Sequence, residues 1–335
     1  MSQILHLSID AMSGDRGPAV VVDAVRDALG ADRSLAVTLV GDEPALRSHL
    51  KPTDQLGTQL RIQHASEVVT MHDAPAEALR RKKDSSMRVA VNLVGGGDAS
   101  ACISAGNTGA LMATAKFVLK TRPDIDRPAI VAEIPARQNR VFMLDLGANT
   151  DCSVDMLHQF ARLGAEVSSA IAGVARPRIA LLNIGEEQGK GNDVIRDAAA
   201  RFEDDSAVNY VGFVEGNRLF DDVADVIVTD GFSGNVALKT MEGTAALVAD
   251  FLRDAFNRST GSRLRGLIAR PVLRRLKARV DPRHYNGAVF AGLNGVVVKS
   301  HGGADAVAFR HAIDTAVLEC RAGMAAALSQ QTDRE

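Results

Sequence analysis

The chain has 335 residues, 46% of them hydrophobic, which is enough to build one large core over residues 1–335. Its 39 Lys and Arg nearly balance 41 Asp and Glu, so a broad basic surface for nucleic acid is excluded. Three cysteines without metal-ligand spacing, and no apolar run near ~20 residues, argue against structural zinc and membrane-spanning helices and favour a reducing, cytosolic setting.

Short apolar runs rich in β-branched residues alternate with longer runs of helical periodicity. Predicted strands are Ile4–Ile9, Leu35–Val40, Leu60–Gln63, Ala101–Ser104, Ile130–Ile134, Val141–Leu144, Ile179–Ile184, Val226–Thr229 and Val296–Lys299. Predicted helices are Pro18–Leu29, Ser85–Val94, Thr108–Leu119, Ser153–Val174, Val194–Phe202, Val236–Phe256 and Asp305–Ala327. The alternation predicts a three-layer α/β/α fold around an open, mostly parallel sheet.

Five predicted strands end in turns rich in Gly, Asn and Asp. The turns lie at 10–18, 105–109, 145–149, 185–192 and 230–235. Ligands of parallel sheets bind beyond the carboxyl ends of the strands, where Gly-rich turns that open helices offer N–H donors to anions. We therefore predict that the five turns meet at one sheet edge and form an anion site. Any single turn is equally well explained as a tight turn built by Gly and Asn.

No turn carries a P-loop or a standard dinucleotide fingerprint, so nucleotide binding is disfavoured. Lys190 is a point charge for phosphate or for a developing oxyanion, or else a solvated loop lysine. Ser233 is the predicted N-cap of the following helix, with Asn235 as an amide donor near its start. Asp15 is either the cap of the first helix or part of the site. His301 follows the last strand without a Ser or Cys partner.

A basic segment interrupts this pattern at 253–283. It holds ten Lys and Arg against Asp254 and Asp281, with apolar residues at spacings of three or four, which predicts an amphipathic helical insertion interrupted at Pro271. Such a surface suits an acidic carrier protein or an anionic membrane, and the sequence leaves both open. The predicted contact residues are Arg263, Arg265, Arg270, Arg274, Arg275 and Lys277.

Several segments together resemble one known family over nearly the whole chain. They are IDAMSGDRGP, AEALRRKKDSSMRVA, SAGNTGALMA, RPAI, LDLGANTD, NIGEEQGKGN, FVEGNRLF, ADVIVTDGFSGNVALKTMEG and LNGVVVKSHGGADAVAF. In this order they resemble the acyl-carrier-protein:phosphate acyltransferases of the PlsX type. The resemblance implies a fold like those of phosphotransacetylases and isocitrate dehydrogenases, a homodimer, and projecting helices at 253–283.

The resemblance also implies a reaction. Fatty acyl-acyl-carrier-protein and inorganic phosphate would be converted reversibly to acyl phosphate and free carrier protein, without a cofactor or metal. A glycerol-3-phosphate acyltransferase would use the product for phospholipid synthesis. The protein would be cytoplasmic, with peripheral attachment to the inner face of the cell membrane.

The resemblance implies that Lys190 and Asn235 are catalytic. From the turns and the resemblance together we expect phosphate and substrate to contact Asp10, Gly14, Asp15, Ser104, Gly106, Asn107, Thr108, Gly109, Asn149, Glu187, Asn192, Asp230, Gly231, Ser233, Gly234, Lys239 and His301. Ser13 stands where the family usually has Gly, and Gly303 replaces a common Ser. The added Cβ of Ser13 is expected to alter the backbone approach to phosphate in that turn.

Three alternatives differ in class. A short-chain enzyme using acyl-coenzyme A would share the turns without needing the basic segment. A dehydrogenase on the same scaffold would need a nicotinamide cofactor and a metal, for which the sequence offers no clear site. A membrane-surface scaffold would use residues 253–283 without any chemistry.

Overall fold

The computed structural model describes residues 4–54, 57–262, 265, 269–273 and 281–332. The strands are β1 Leu5–Asp10, β2 Leu35–Gly41, β3 Leu60–His64, β4 Ala101–Ser104, β5 Ala129–Ile134, β6 Val141–Leu144, β7 Ile179–Asn183, β8 Tyr210–Glu215, β9 Val226–Val228, β10 Ala288–Ala291 and β11 Val296–Lys299. The α-helices are α1 Pro18–Ala31, α2 Glu43–His49, α3 Pro75–Arg81, α4 Ser86–Gly95, α5 Thr108–Leu119, α6 Val154–Ala172, α7 Asp193–Asp204, α8 Gly231–Asn257 and α9 Ala306–Thr332.

Within the described residues, the strands form one sheet in the order β3-β2-β1-β4-β11-β10-β5-β6-β9-β7-β8. The first five pair in parallel and are called the first block, and the last four pair in parallel and are called the second block. Between the blocks, β10 is antiparallel to β11 and β5, and β5 is antiparallel to β6. The two blocks therefore run in opposite directions.

The lengths of the connections explain this reversal. Only residues 135–140 join β5 to β6, and only residues 292–295 join β10 to β11. Such links are too short for a crossover helix, so each pair becomes antiparallel. Elsewhere helices separate most consecutive strands and permit parallel pairing. The prediction of a mostly parallel sheet flanked by helices is confirmed, whereas β8, β10, α2 and α3 were not predicted.

Three buried apolar clusters fill the two interlayer spaces. On one face, α1 and α9 cover the first block, while α6 and α7 cover the second block. On the other face, α4, α5 and α8 pack against a cluster that spans both blocks. Alternate residues of β4 point to opposite faces: Ala101 and Ile103 join the first cluster, and Cys102 joins the spanning cluster.

The basic segment is described only in part. Arg265 and Arg270 are helical and exposed, whereas Arg263, Arg274, Arg275 and Lys277 lie outside the described residues. The extent of the predicted insertion at 253–283 therefore stays a prediction. No helix among the described residues is both long and apolar enough to cross a bilayer.

Candidate active site

The polar turns predicted to form one site reach opposite edges of the sheet. The turns after β1 and β4, together with His301 after β11, lie at the carboxyl edge of the first block. The turns after β6, β7 and β9 lie at the carboxyl edge of the second block. The prediction that all five turns meet at one edge was wrong, because the reversal between the blocks turns the second set of strands around.

Helix α8 connects the two edges. It begins at the end of β9 and packs Ala237, Leu238 and Met241 against the cluster that spans both blocks. The rise from its first residue to Lys239 is about 12 Å, close to the length of a four-residue strand. Lys239 thereby reaches the first edge, where loss of hydration first and the charge of Lys239 second lower the pKa values of Lys299 and His301. Asn235 lies one turn earlier on the same face of the helix.

A buried network shapes the first-block edge. Asp10 is fully buried, and its Oδ2 accepts a hydrogen bond from Ser104 Oγ at 2.6 Å. The same hydroxyl accepts from the Gly106 N–H at 3.1 Å and lies 3.2 Å from Ser13 Oγ. Ser13 is 5% exposed, so its side chain belongs to the interior of the turn and ties the turn to β4.

Two neighbouring loops meet beside this network. The Asp15 N–H donates to the Gly302 carbonyl at 2.8 Å. Gly14 has φ +93°, and a Cβ there would lie 3.0 Å from the Ala105 Cβ, so this crossing requires glycine. Asp15 is exposed and does not cap α1, whose N-cap is Gly17 without a side-chain hydrogen bond. The capping alternative for Asp15 was wrong, because α1 begins at Pro18 and its N-cap position is Gly17, two residues after Asp15.

His301 is positioned as a neutral ring with a defined tautomer. Its Nδ1 accepts from the Gly303 N–H at 3.0 Å, which leaves Nε2 as the protonated nitrogen. Partial burial and the charge of Lys239 lower the pKa of His301 below 6.5. His301 is therefore a hydrogen-bond donor at neutral pH.

The first turn of α5 completes this edge. Asn107 caps the helix: its Oδ1 accepts from the Ala110 N–H at 3.1 Å, and its Nδ2 donates to the carbonyls of Met71 and Asp73. Thr108 and Gly109 supply the N–H groups of the first turn, which point beyond the carboxyl end of β4. The predicted turn at 105–109 is thus a helix start suited to an anion.

A second buried carboxylate organises the opposite edge. Asp145 Oδ1 accepts from the N–H groups of Ile130 and Ala148, and its Oδ2 accepts from the N–H and Nδ2 of Asn149. Burial raises the pKa of Asp145, and these four donors oppose the rise. Asn149 was a predicted site residue, whereas Asp145 was not. A charged residue directly after the apolar strand β6 was the available signal.

The start of α8 packs on this turn. Asp230 is the N-cap: its Oδ1 and Oδ2 accept from the N–H and Oγ of Ser233, both at 2.8 Å. Ser233 is therefore not the cap, and that prediction was wrong, because the helix begins two residues before it at Gly231. The Gly231 N–H donates to the Asn149 carbonyl at 2.7 Å. Asn235 is exposed at the surface of this first turn.

The loop at 185–192 lies at the same edge, because β7 pairs with β9. The backbone of Lys190 is fixed by its N–H donating to Glu187 O and its carbonyl accepting from Asn183 Nδ2. Its ammonium is exposed and forms no ion pair within the part of the chain that the structure describes. Glu186 pairs instead with Arg218, and Asn192 caps α7. The backbone of Lys190 is thus held in place, and its ammonium has no ion-pair partner among the described residues.

Gly234 is the closest packing point between α8 and this edge. A Cβ there would overlap the Asp145 carbonyl oxygen and lie 2.9 Å from Thr229 Cγ2. We expect Gly234→Ala to lower the free energy of unfolding by about 1–3 kcal/mol through overpacking and to shift Asn235. Urea denaturation followed by circular dichroism measures this loss.

Gly243→Ala is the matched control, because a Cβ at Gly243, on the same helix, would contact nothing within 4 Å. That variant should be more stable than the parent by about 0.5–1 kcal/mol, since Ala is the better helix former. Equal stability of the two variants would contradict the close contact at Gly234.

The arrangement suits anionic oxygen chemistry. Amide groups and cations line both edges, and α8 holds Asn235 and Lys239 between them. No group of three or more His, Cys, Asp or Glu in the described ranges is placed to hold a metal ion. Charge stabilisation by this chain's own donors is therefore the chemistry that the site offers.

Sequence comparison identifies the family. A family model described as "Fatty acid synthesis protein" matches residues 5–326. A phosphate acyltransferase of Alkalilimnicola ehrlichii is 54% identical over 99% of this chain and 97% of its own length. One of Methylococcus capsulatus is 54% identical over 93% of this chain and 92% of its own. The chain belongs to the phosphate acyltransferase family. As a member of that family it is an acyltransferase enzyme.

Solved structures confirm the phosphotransacetylase-like fold of this family member. A phosphotransacetylase from Streptococcus pyogenes aligns with a TM-score of 0.61 at 18% identity, covering 95% of this chain and 94% of its own. A branched-chain phosphotransacylase from Enterococcus faecalis aligns with a TM-score of 0.57 at 16% identity, covering 94% and 99%. At such identities the likeness establishes the fold alone.

Proposed function

We propose that this enzyme transfers a fatty acyl group from acyl-acyl-carrier-protein to inorganic phosphate, reversibly, yielding acyl phosphate and free carrier protein. The observation that carries the proposal is the placement of α8. Its Asn235 and Lys239 lie on one face, between the edge that carries the Lys190 loop and the edge that carries Lys299. A substrate there would meet amide and cationic groups on both sides.

The chemistry needs no covalent enzyme intermediate. A phosphate oxygen attacks the thioester carbonyl, whose oxygen becomes negative in the tetrahedral intermediate. The C–S bond then breaks, the electron pair leaves with sulfur, and the thiolate takes a proton. We assign Lys190 to balance the negative charge and Asn235 Nδ2 to donate to the oxyanion. The turn at 106–109 would hold the remaining phosphate oxygens at the first-block edge, with Asp10, Asp15 and His301 beside it. The turn at 231–235, with Glu187 and Asn192 nearby, would position Asn235 and Lys190 at the opposite edge.

An exposed apolar face on α8 supports the binding of an acyl chain and of a second copy of this chain. Phe232 is 65% exposed and Phe251 is 63% exposed, and the exposed apolar side chains between them include Val236, Leu247 and Val248. Apolar surface of this extent is normally covered by a ligand or partner. We propose that the acyl chain and a second copy of this chain share it, giving a homodimer.

The neighbouring basic residues, including the exposed Arg265 and Arg270, fit an acidic carrier protein or an anionic membrane surface. We propose a cytoplasmic enzyme bound peripherally to the inner face of the membrane. There the acyl phosphate would pass to a glycerol-3-phosphate acyltransferase.

The test is phosphate-dependent release of free thiol from purified palmitoyl-acyl-carrier-protein, with the product followed by phosphorus NMR. We expect thiol release matched by an equal amount of acyl phosphate. Thiol release from acetyl-coenzyme A in preference to the carrier substrate would favour the short-chain enzyme. No turnover by folded protein on either substrate would favour the scaffold.

A further inference from the structure

Lys299, which was not among the predicted site residues, ends β11 with a partly buried side chain. Its Nζ donates to the carbonyl oxygens of Ala105, at 3.4 Å, and of Ser300. No carboxylate pairs with it in the part of the chain that the structure describes. Even a partly buried ammonium that contacts only carbonyl dipoles loses hydration, and an anion that completed its coordination would offset that cost.

The groups facing Lys299 come from several elements. Asp10 at the end of β1 and Asp15 in the following turn raise its pKa, and Lys239 from α8 lowers it. His301 follows two residues later, with Glu242 of α8 nearby. Glu242 is paired with Lys239 at 2.6 Å. Neither Asp10 nor Asp15 forms an ion pair with Lys299 among the described residues.

The position of the ammonium indicates the anion's place. Ala105 opens the turn that leads into α5, so Nζ lies beside the entry to that helix. The N–H groups of Thr108 and Gly109 lie in the first turn there. An anion at this point would contact a side-chain cation and backbone donors together.

We propose that Lys299 is the principal side-chain ligand of inorganic phosphate in this enzyme, acting together with the first turn of α5. This deepens the proposed function and rests on it for the identity of the reaction. Lys190 and Asn235 then stabilise the negative charge that develops on the thioester carbonyl, while Lys299 binds phosphate, the nucleophile.

This role of Lys299 predicts that the affinity for phosphate depends on pH. Without bound phosphate, burial first and the charge of Lys239 second lower the pKa of Lys299 to about 8. Bound phosphate favours the charged amine and therefore raises that pKa. Above pH 8 the Lys299 amine is mostly neutral without phosphate, so phosphate binding must take up a proton and weakens about tenfold for each further pH unit.

The experiment measures phosphate affinity by isothermal titration of inorganic phosphate into full-length protein, beside the KM for phosphate and for the acyl donor. We expect Lys299→Met to weaken phosphate binding about 10–100-fold, the range for a lost hydrogen bond to a charged group, without changing the KM for the acyl donor. Lys116→Met, an exposed lysine of α5 outside the site, is the matched control and should bind phosphate like the parent.

Proton uptake provides a readout that a purely structural lysine would not move. Titrations at pH 9 in two buffers of different ionisation enthalpy should show close to one proton bound per phosphate in the parent and none in Lys299→Met. Lys239→Gln should move the onset of this uptake to higher pH, because it removes a charge that lowers the pKa of Lys299.

The outcomes of these measurements test the role of Lys299 separately from the proposed reaction. Unchanged phosphate affinity in folded Lys299→Met, or no proton uptake by the parent at pH 9, overturns the inference; the second measurement holds even if the variant does not fold. Phosphate binding that depends on Lys299, in a protein that makes no acyl phosphate, leaves the inference standing and rejects the proposed reaction.

Discussion

Lys190→Ala is expected to reduce turnover by about 10²–10³, the effect of removing one donor from an oxyanion site. The ammonium of Lys190 has no ion pair in the described residues and projects from a loop whose backbone is fixed at both sides. Its loss should therefore cost charge stabilisation and leave the fold intact. Steady-state turnover of palmitoyl-acyl-carrier-protein with saturating phosphate measures it.

Lys51→Ala is the control, an exposed lysine in the link between α2 and β3, and it should retain parental turnover. Lys190→Arg should recover only part of the lost rate, because a planar guanidinium presents its charge differently from a compact ammonium. Parental turnover by folded Lys190→Ala would remove Lys190 from the mechanism.

Asp145→Ala is expected to lower the free energy of unfolding by about 3–5 kcal/mol, because it leaves three backbone N–H groups, two of them buried, and the buried Asn149 amide without their acceptor. Asp145→Asn should fall between this variant and the parent, since it keeps one carbonyl oxygen but adds a donor facing other donors. Urea denaturation measures both.

The control for this change is Asp151→Ala, an exposed aspartate in the segment that follows the same turn. It should change stability by less than about 0.5 kcal/mol. If Asp145→Ala unfolded at the parental urea concentration, the buried carboxylate would not be what holds the turns after β6 and β9 together.

Much of the layer architecture was predictable from residue patterns. Three predicted strands, β4, β6 and β11, have the observed bounds, because each is a short apolar run bounded by polar or Gly-rich turns. The strand β10 was missed because it has only four residues and no helix separates it from β11. The strand β8 was missed because it lies at the sheet edge and only Val214 in it is fully buried.

The arrangement of the site was harder to predict than its residues. The short link at 135–140 carried the signal that β6 must turn back on β5, and reading it would have placed the turns at opposite edges. Asp145 and Lys299 were missed because a single charge at the end of an apolar strand looks like an ordinary strand boundary. Only the fold shows that Asp145 is buried, that Lys299 is partly buried, and which groups lie near them.

The strand order also bears on when the enzyme becomes competent during synthesis. In the described residues, the β10–β11 pair at 288–299 is what joins β4 to β5 across the sheet. Until those residues leave the ribosome, β4 and β5 both present unpaired edges, and Lys299 and His301 are absent. A chain released early would thus carry Lys190 and Asn235 without Lys299, the proposed side-chain ligand of phosphate, and would be inactive.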